Sequence, residues 1–338
     1  MANYPADHYI LSADWGTTHL RVRLVARADA SVVAIEKRAT GCKALGQGTA
    51  AGPARDAAYR EALLAAVQAL GASVAADLTA LPVVISGMAS SSLGWRELAY
   101  ATVPFALDGS SLVTAQVAAD GLGPILLISG VATDRDVMRG EETELIGLLA
   151  HPEMKRYQRD SVVIMPGTHC KHVDVVGGNI ETFQTAMSGE LYEILAAHSV
   201  LRGSVAGAGN DFGEEQRHGF RDGVHIGFEA PLPQALFNVR TYSLLKGWSP
   251  DRCAGFLSGI LIAHELMAFD PQTLADVPVI IFADAVMAER YSLAFENLFT
   301  HGLHTGEIPT PLVAPPESLA DSVVRGHLIA LATHGERP

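Results

Sequence analysis

Cysteine is scarce in this chain: Cys42, Cys170 and Cys253 are far apart and odd in number. That argues against a disulfide framework and points to a reducing cytosol. Positive charge is scarce as well, with 24 Lys and Arg against 37 Asp and Glu, a formal net charge of −13 and no dense basic run. Nucleic acid and anionic membrane are therefore poor candidates for the main partner. An anionic substrate would have to be met by a few local cations. Long apolar runs are also missing. The most apolar stretch, 254-AGFLSGILIAHELMAF-269, is interrupted by His264 and Glu265 and reads as a buried helix, not a bilayer span. The opening MANYPADHY has no basic stretch followed by an apolar core, so no signal peptide is expected and the expected location is cytoplasmic.

What is present describes a compact α/β protein. Hydrophobic residues make up 49% of the chain and charged residues 18%, and 338 residues exceed what one core usually supports. Three strands open the chain, at 9–14, 19–26 and 32–39, followed by a helix over 54–78 and short buried strands at 82–87 and 124–130. A helix over 137–150 comes next. The second half begins in the same way, with 161-SVVIMPGTHCKHVDVVGGNIETFQTA-186 reading as strand, turn, strand, turn, strand. Helices at 187–201, 231–247 and 252–269, a strand at 277–284 and a helix at 285–299 follow. Strands alternating with helices after a hairpin start imply mixed, mainly parallel sheets, and an internal duplication is the economical reading. The expected domains are 1–155 and 156–316, with a C-terminal helix at 317–334 packing back on the first. A ligand is expected in the cleft between such halves.

The chemistry concentrates at two turns. In 11-LSADWGTTHLRVRLV-25 the turn carries Asp14, Gly16, Thr17 and Thr18, and in the second half Gly167 and Thr168 fall on Gly16 and Thr17. Glycine lets the backbone approach phosphate oxygens, successive N–H groups make an anion nest, and threonine hydroxyls add donors. Asp14 has no counterpart, since Met165 and Pro166 precede the second turn. One acid suits one Mg²⁺ held against the phosphates of ATP. Two ordinary hairpins are the alternative, and the repetition of the turn within a duplicated unit speaks against them. The stretch 203-GSVAGAGNDFG-213 reads as a glycine-rich polar loop and a weak cofactor signal.

ADWGTTHLRVRLV and PGTHCKHVDV resemble the two phosphate motifs of the sugar kinase, heat-shock protein 70 and actin superfamily. The ordered set DWGTT, SGMASSSLGW, MRGEETELIG, MPGTHCKHV, FQTAMSGELYEIL and FLSGILIAHEL resembles the 2-dehydro-3-deoxygalactonokinases from about residue 9 to residue 300. The resemblance implies a duplicated two-domain actin-like ATPase fold, ribonuclease H-like in each half, with ATP in the interdomain cleft and domain closure around it. It also implies phosphorylation of 2-dehydro-3-deoxy-D-galactonate at its 6-hydroxyl, a step in galactonate catabolism. The alternatives are a kinase for another acid sugar and a non-catalytic nucleotide-driven switch protein. The superfamily's adenosine motif would fall at Ala283 and Asp284, where this chain lacks the usual glycines.

A base and a set of cations complete the expected site. In 139-RGEETELIG-147 the acids Glu141, Glu142 and Glu144 crowd a helix start, where the dipole favours anions. The superfamily's hexokinase-like members place their catalytic acid similarly, which makes Glu142 the first candidate and Glu141 the second; a purely helix-stabilising cluster is the alternative. Glu190 in MSGEL is a further acid, beside Ser188 as a helix cap. Arg21, Arg139 and Lys171 each sit beside a motif and are candidates for the substrate carboxylate or the γ-phosphate, with Lys171 placed among the phosphate-binding residues. A structural ion pair is the alternative for each; Arg23 would share a strand face with Arg21. Ser86, Gly87 and Met88 open a hydroxyl-rich sugar loop that ends in Trp95, able to stack on an apolar sugar face. The grouping of His169, Cys170 and His172 does not have zinc-site spacing, and His301 and His304 read as loop histidines. The apolar content permits a homodimer.

Overall fold

The segment YILSADW is apolar on both faces, as a strand with neighbours on either side must be, and it forms β1 (Tyr9–Trp15). The computed structural model describes residues 3–269, 271–300 and 310–334, and within these the chain divides into two units. The first comprises 3–159, 177–182 and 320–334, the second 160–176, 183–269, 271–300 and 310–319.

In the first unit β1 pairs antiparallel with β2 (Leu20–Ala26), which pairs antiparallel with β3 (Val32–Arg38). A short helix α1 (Cys42–Gly46) and the long helix α2 (Pro53–Ser73) lead to β4 (Val83–Gly87), parallel to β1. Two short strands follow, β5 (Ala101–Thr102) and β6 (Phe105–Ala106), then β7 (Thr114–Val117) and β8 (Ile125–Ile128). The sheet order is β3-β2-β1-β4-β8-β7. Its core is closed by Trp15, Tyr59 and Trp95, whose rings lie 5.0 to 6.3 Å apart.

The helix expected over 137–150 begins later. Val137 and Met138 form a strand, β10, beside β9 (Val131–Ala132), and α3 spans Glu141–Ala150. The boundary is Gly140, whose φ of 110° no helix accommodates. Similarly α2 stops at Ser73, short of the expected residue 78, and Ala75 follows with φ 53°.

The second unit repeats the pattern with β11 (Ser161–Met165), β12 (Cys170–Val176) and β13 (Asn179–Ala186). Helices α4 (Ser188–His198), α5 (Arg202–Val205), α6 (Glu214–Glu229), α7 (Leu232–Lys246), α8 (Pro250–Leu266) and α9 (Pro271–Asp276) follow. Then come β14 (Val279–Ile281), α10 (Ala285–Phe295) and β15 (Leu312–Val313), while α11 (Pro316–His334) belongs from residue 320 onward to the first unit. β11 runs antiparallel to β12 and parallel to β14, and β14 is parallel to β15. The order β13-β12-β11-β14-β15 therefore reproduces β3-β2-β1-β4-β8. This is the duplicated actin-like ATPase fold, with a mixed sheet in each unit.

Sequence reasoning assigned no element to 214–229, where three glycines, Gly219, Gly223 and Gly227, interrupt HGFRDGVHIGFE. The glycines are there for packing. A Cβ at Gly219 would meet the Arg252 carbonyl and one at Gly223 the Phe256 carbonyl on α8, while Gly255 and Gly259 answer from α8 against Gln216 and Phe220. Two helices approach backbone to backbone along these positions, and α8 is buried along most of its length. No helix among the described residues is long and apolar enough to cross a membrane.

Candidate active site

In the first unit, strand register delivers the pieces. Asp14 near the end of β1 sits opposite Arg21 on β2 and beside Ser86 on β4. Arg21 donates through Nη1 to Asp14 Oδ2 at 2.9 Å, so the arginine expected as a substrate ligand is engaged in an ion pair. Arg23, two residues along, is buried enough that its pKa falls, against the opposing charges of Asp14 and Glu144. The turn Gly16–Thr18 is closed by Gly16 N–H donating to the His19 carbonyl at 2.9 Å. Its carbonyls point back to α1: Gly16 accepts from Cys42 N–H, Thr17 from Lys43 N–H and Thr18 from Gly41 N–H, all at 3.0 Å. Gly41 fits only because it has no Cβ, which would strike the Thr17 carbonyl and the Thr18 backbone. Among the described residues the amides of Thr17 and Thr18 donate to no backbone carbonyl, and both threonines are exposed. Carbonyls in, amides out is the arrangement an anion requires.

The acid helix α3 starts nearby. Gly140 lies close to Gly87, with 3.4 Å between its Cβ position and the Gly87 Cα. Glu142 is 0% exposed; its Oε2 accepts from Gly140 N–H at 2.7 Å and its Oε1 from the Thr143 hydroxyl at 2.9 Å. Burial first, then the charge of Glu141, pushes its pKa up to about 7. Glu144 rises to about 8, through burial and then the charges of Asp14, Glu141 and Glu142. Glu141 is half-buried and accepts from Arg139 N–H at 2.9 Å. From behind, α11 crosses α3 closely: Gly147 meets the Ser322 carbonyl and Gly326 the Thr143 carbonyl, with no space for side chains. His327 on α11 is fully buried, with Nδ1 2.8 Å from the Ser12 hydroxyl, and burial lowers its pKa to about 3.

The expected sugar loop divides. Ser86 and Gly87 are buried at the end of β4 and Met88 is half-buried. Trp95 is 6% exposed and its ring is stacked with Tyr59, 6.1 Å between centroids. It belongs to the core and presents no open face to a sugar, because an indole in this position buries more apolar area inward than a loop site would allow. Arg139 reaches the same loop, donating to the Ser90 carbonyl at 2.8 Å and the Ser90 hydroxyl at 2.6 Å, with its guanidinium carbon 4.1 Å from the Tyr100 ring centroid. It holds the loop in shape.

In the second unit the corresponding turn Gly167–His169 is also exposed. Here α4 stands where α1 stood. Glu190 N–H donates to the Thr168 carbonyl at 3.0 Å, and a Cβ at Gly189 would collide with the Gly167 carbonyl. Among the described residues the amides of Thr168 and His169 likewise donate to no backbone carbonyl. Lys171, expected on a phosphate, is 3% exposed and donates to the His169 carbonyl at 3.0 Å. It braces the turn from beneath. Glu190 pairs with His169 at 2.9 Å, and His172 turns into the core toward Glu265 at 2.7 Å.

Beside this turn lies a cavity of about 300 Å³. Gly167, Thr168 and Gly189 form one wall, and Tyr192, Glu193, Asp284, Met287 and Arg290 line it further along. Asp284 caps α10, accepting from Val286 and Met287 N–H at 3.0 Å. Ala283 is buried just before it. Sequence reasoning missed Tyr192, Glu193 and Arg290. The only signal was helical spacing: Tyr192 lies one turn beyond Ser188, and Arg290 lies two turns into α10. Arg290 is partly buried with a lowered pKa, and its Nη2 donates to Gln216 at 3.3 Å. No group of three or more His, Cys, Asp or Glu suited to a metal occurs among the described residues. His301 and His304 lie outside them.

Residues 14–306 match the family described as 2-keto-3-deoxy-galactonokinase. The 2-dehydro-3-deoxygalactonokinase of Escherichia coli (strain K12) is 34% identical over 64% of this chain and 71% of its own length. The probable 2-dehydro-3-deoxygalactonokinase DgoK1 of Rhizobium meliloti (strain 1021) is 34% identical over 76% of this chain and 79% of its own. A crystal structure from Sinorhizobium meliloti, of a candidate 2-dehydro-3-deoxygalactonokinase, superposes with a TM-score of 0.74 at 29% identity, covering 98% of each chain.

Proposed function

The chain belongs to the 2-keto-3-deoxy-galactonokinase family, and from that premise we propose that it transfers the γ-phosphoryl group of ATP to the 6-hydroxyl of 2-dehydro-3-deoxy-D-galactonate, a step in galactonate catabolism. The observation that carries the reading is the second unit's cavity, which the Gly167–Thr168 turn and Asp284 both line. We assign this cavity to the nucleoside diphosphate portion of ATP. The exposed amides of the turn face its phosphates, while Tyr192, Met287 and Arg290 offer flat and apolar surface to a base.

The first unit's residues suit Mg²⁺ carried on a nucleotide. Asp14 supplies one hard carboxylate, half-buried with one oxygen committed to Arg21, and Thr17 and Thr18 supply hydroxyls. Mg²⁺ commonly takes only one or two protein carboxylates and keeps water and phosphate for the rest. When bound, the ion neutralises charge on the phosphoryl oxygens.

The chain's own groups do the remaining work. We assign the proton acceptor for the sugar hydroxyl to Glu141, because the carboxylate of Glu142 is fully enclosed and already accepts two hydrogen bonds. Glu142 instead fastens the Gly140 turn. Positioned acids of this kind contribute about 10²–10⁴-fold to rate. With Arg21 and Arg139 engaged, the substrate carboxylate is left to the exposed Ser92 and to Lys43 at the start of α1.

The test is ADP release in a coupled assay with 2-dehydro-3-deoxy-D-galactonate, its gluconate epimer and neutral sugars. Turnover dependent on the galactonate derivative supports the reading. ADP release indifferent to every sugar would instead favour the switch protein.

A further inference from the structure

The buried face of α8 carries a carboxylate that the proposed chemistry leaves unused, that of Glu265. Its side chain is fully buried. Oε1 accepts from Nε2 of His172 at 2.7 Å and from the Tyr291 hydroxyl at 2.7 Å. Burial alone would raise its pKa, but the hydrogen bond and charge of His172, with the hydroxyls of Ser188 and Tyr291, outweigh this and hold it below the ordinary value. An ionised carboxylate in such a place is costly unless partnered; here both hydrogen bonds reach Oε1, from His172 on β12 and Tyr291 on α10, while Oε2 has no hydrogen-bond partner among the described residues.

Those elements have one thing in common. Tyr291 Oη lies 3.2 Å from Cys170 Sγ. That sulfur accepts from Gly167 N–H at 3.4 Å and lies 3.3 Å from the Gly167 carbonyl. Gly167, Cys170, Ser188 and Tyr291 all line the cavity beside the second turn. The backbone of Gly167 is thus tied through Cys170 and Tyr291 to Glu265. Ser188, at the start of α4 beside the Gly189 that is pressed against that turn, is among the groups that lower the Glu265 pKa.

We propose that Glu265 is a positioning residue for the second glycine–threonine turn: through Tyr291 and Cys170 it sets where the Gly167–Thr168 amides meet the phosphates of the nucleotide. The proposal rests on the cavity being the nucleotide site. Fixing donors in advance means that less freedom is lost when the ligand arrives. A role confined to folding would lower thermal stability and leave nucleotide affinity alone.

The experiment compares Glu265→Gln and Tyr291→Phe in the full chain, varying ATP and the sugar acid separately and titrating ADP by calorimetry. The expected result is a rise of about tenfold in KM for ATP and in the ADP Kd, with KM for the sugar within about twofold, on the scale of one lost hydrogen bond to a charged group. Folded variants whose ATP and ADP constants stay within about twofold of the parent overturn the proposal. Should Glu265→Gln fail to fold, Tyr291→Phe decides alone, since it removes one hydroxyl and keeps the ring. Gly189→Val separates the premise from the inference. Unchanged ADP binding in that variant overturns the cavity assignment and the proposal with it. ADP binding lost there, yet intact in Glu265→Gln and Tyr291→Phe, overturns the proposal alone.

Discussion

Asp14 and Arg21 stand opposite one another across the antiparallel pair β1–β2 and are joined by a 2.9 Å hydrogen bond between Oδ2 and Nη1. The arginine is nearly half exposed, so the pair adds little to stability, on the order of 0.2–1 kcal/mol. Its effect is on direction: it commits Oδ2, so under the proposed metal assignment Oδ1 is the oxygen that would meet the ion.

Asp14→Asn should therefore lower kcat by about 10²-fold or more while shifting Tm by only a degree or two, because it removes a charge from phosphoryl transfer and not from the core. Steady-state rates across a Mg²⁺ series, with Tm on the same samples, test this. Unchanged rates would remove Asp14 from the metal assignment. Arg21→Ala should alter kcat far less than Asp14→Asn does.

Glu141 and Glu142 should separate in kind. Glu141→Gln is expected to cut kcat about 10²–10⁴-fold with sugar KM little changed. Glu142→Gln replaces a buried acceptor of two hydrogen bonds and should cost about 1–3 kcal/mol of stability. Denaturant midpoints and kcat measured on both variants distinguish the roles. The reverse pattern would restore Glu142 as the base.

Gly41→Ala and Gly189→Ala are expected to be matching lesions. Each adds a Cβ against the carbonyl of a glycine–threonine turn, and each turn is anchored by the strands on either side of it. Gly189→Ala should raise KM for ATP, and both should lower Tm. A Tm within a degree of the parent for both would show that the turns yield.

The acid helix carries a pH signature. Glu144 ionises near 4.5 in an unfolded chain and near 8 in the native one. Between those values the native state holds a proton that the unfolded state has lost, so its stabilising contribution is whole below about pH 4.5 and disappears as pH rises through about 8. His327 has the opposite sense: held neutral down to about pH 3, it costs stability as pH falls below its unfolded value of 6.5. Glu144→Gln should therefore flatten the fall in Tm between pH 5 and pH 9, at about 2–4 °C for each kcal/mol recovered. Parallel Tm curves for parent and variant would refute the assignment.

Local pattern carried much of this. The strands β1 to β4 stand within a residue or two of where apolar runs and apolar alternation place them, and β11 to β13 fall within the expected stretch 161–186. The Gly-Thr turns lie between them because a hairpin and an anion nest need the same small residues. Hidden from pattern were the elements defined by contact: α6, whose glycines look like loop until α8 is laid against them, and Tyr192, Glu193 and Arg290, which share a cavity only once α4 and α10 are in place.

By itself, then, the sequence determined the duplication, the two bends and the family, since each depends on residue types at short spacing. The tertiary structure decided which polar groups remain available to a ligand. Arg21, Arg139, Lys171, Trp95 and Glu142 all read as candidates along the chain, and packing engages each with a neighbour in the fold. Burial and hydrogen bonding belong to residues distant in sequence, and no periodicity records them.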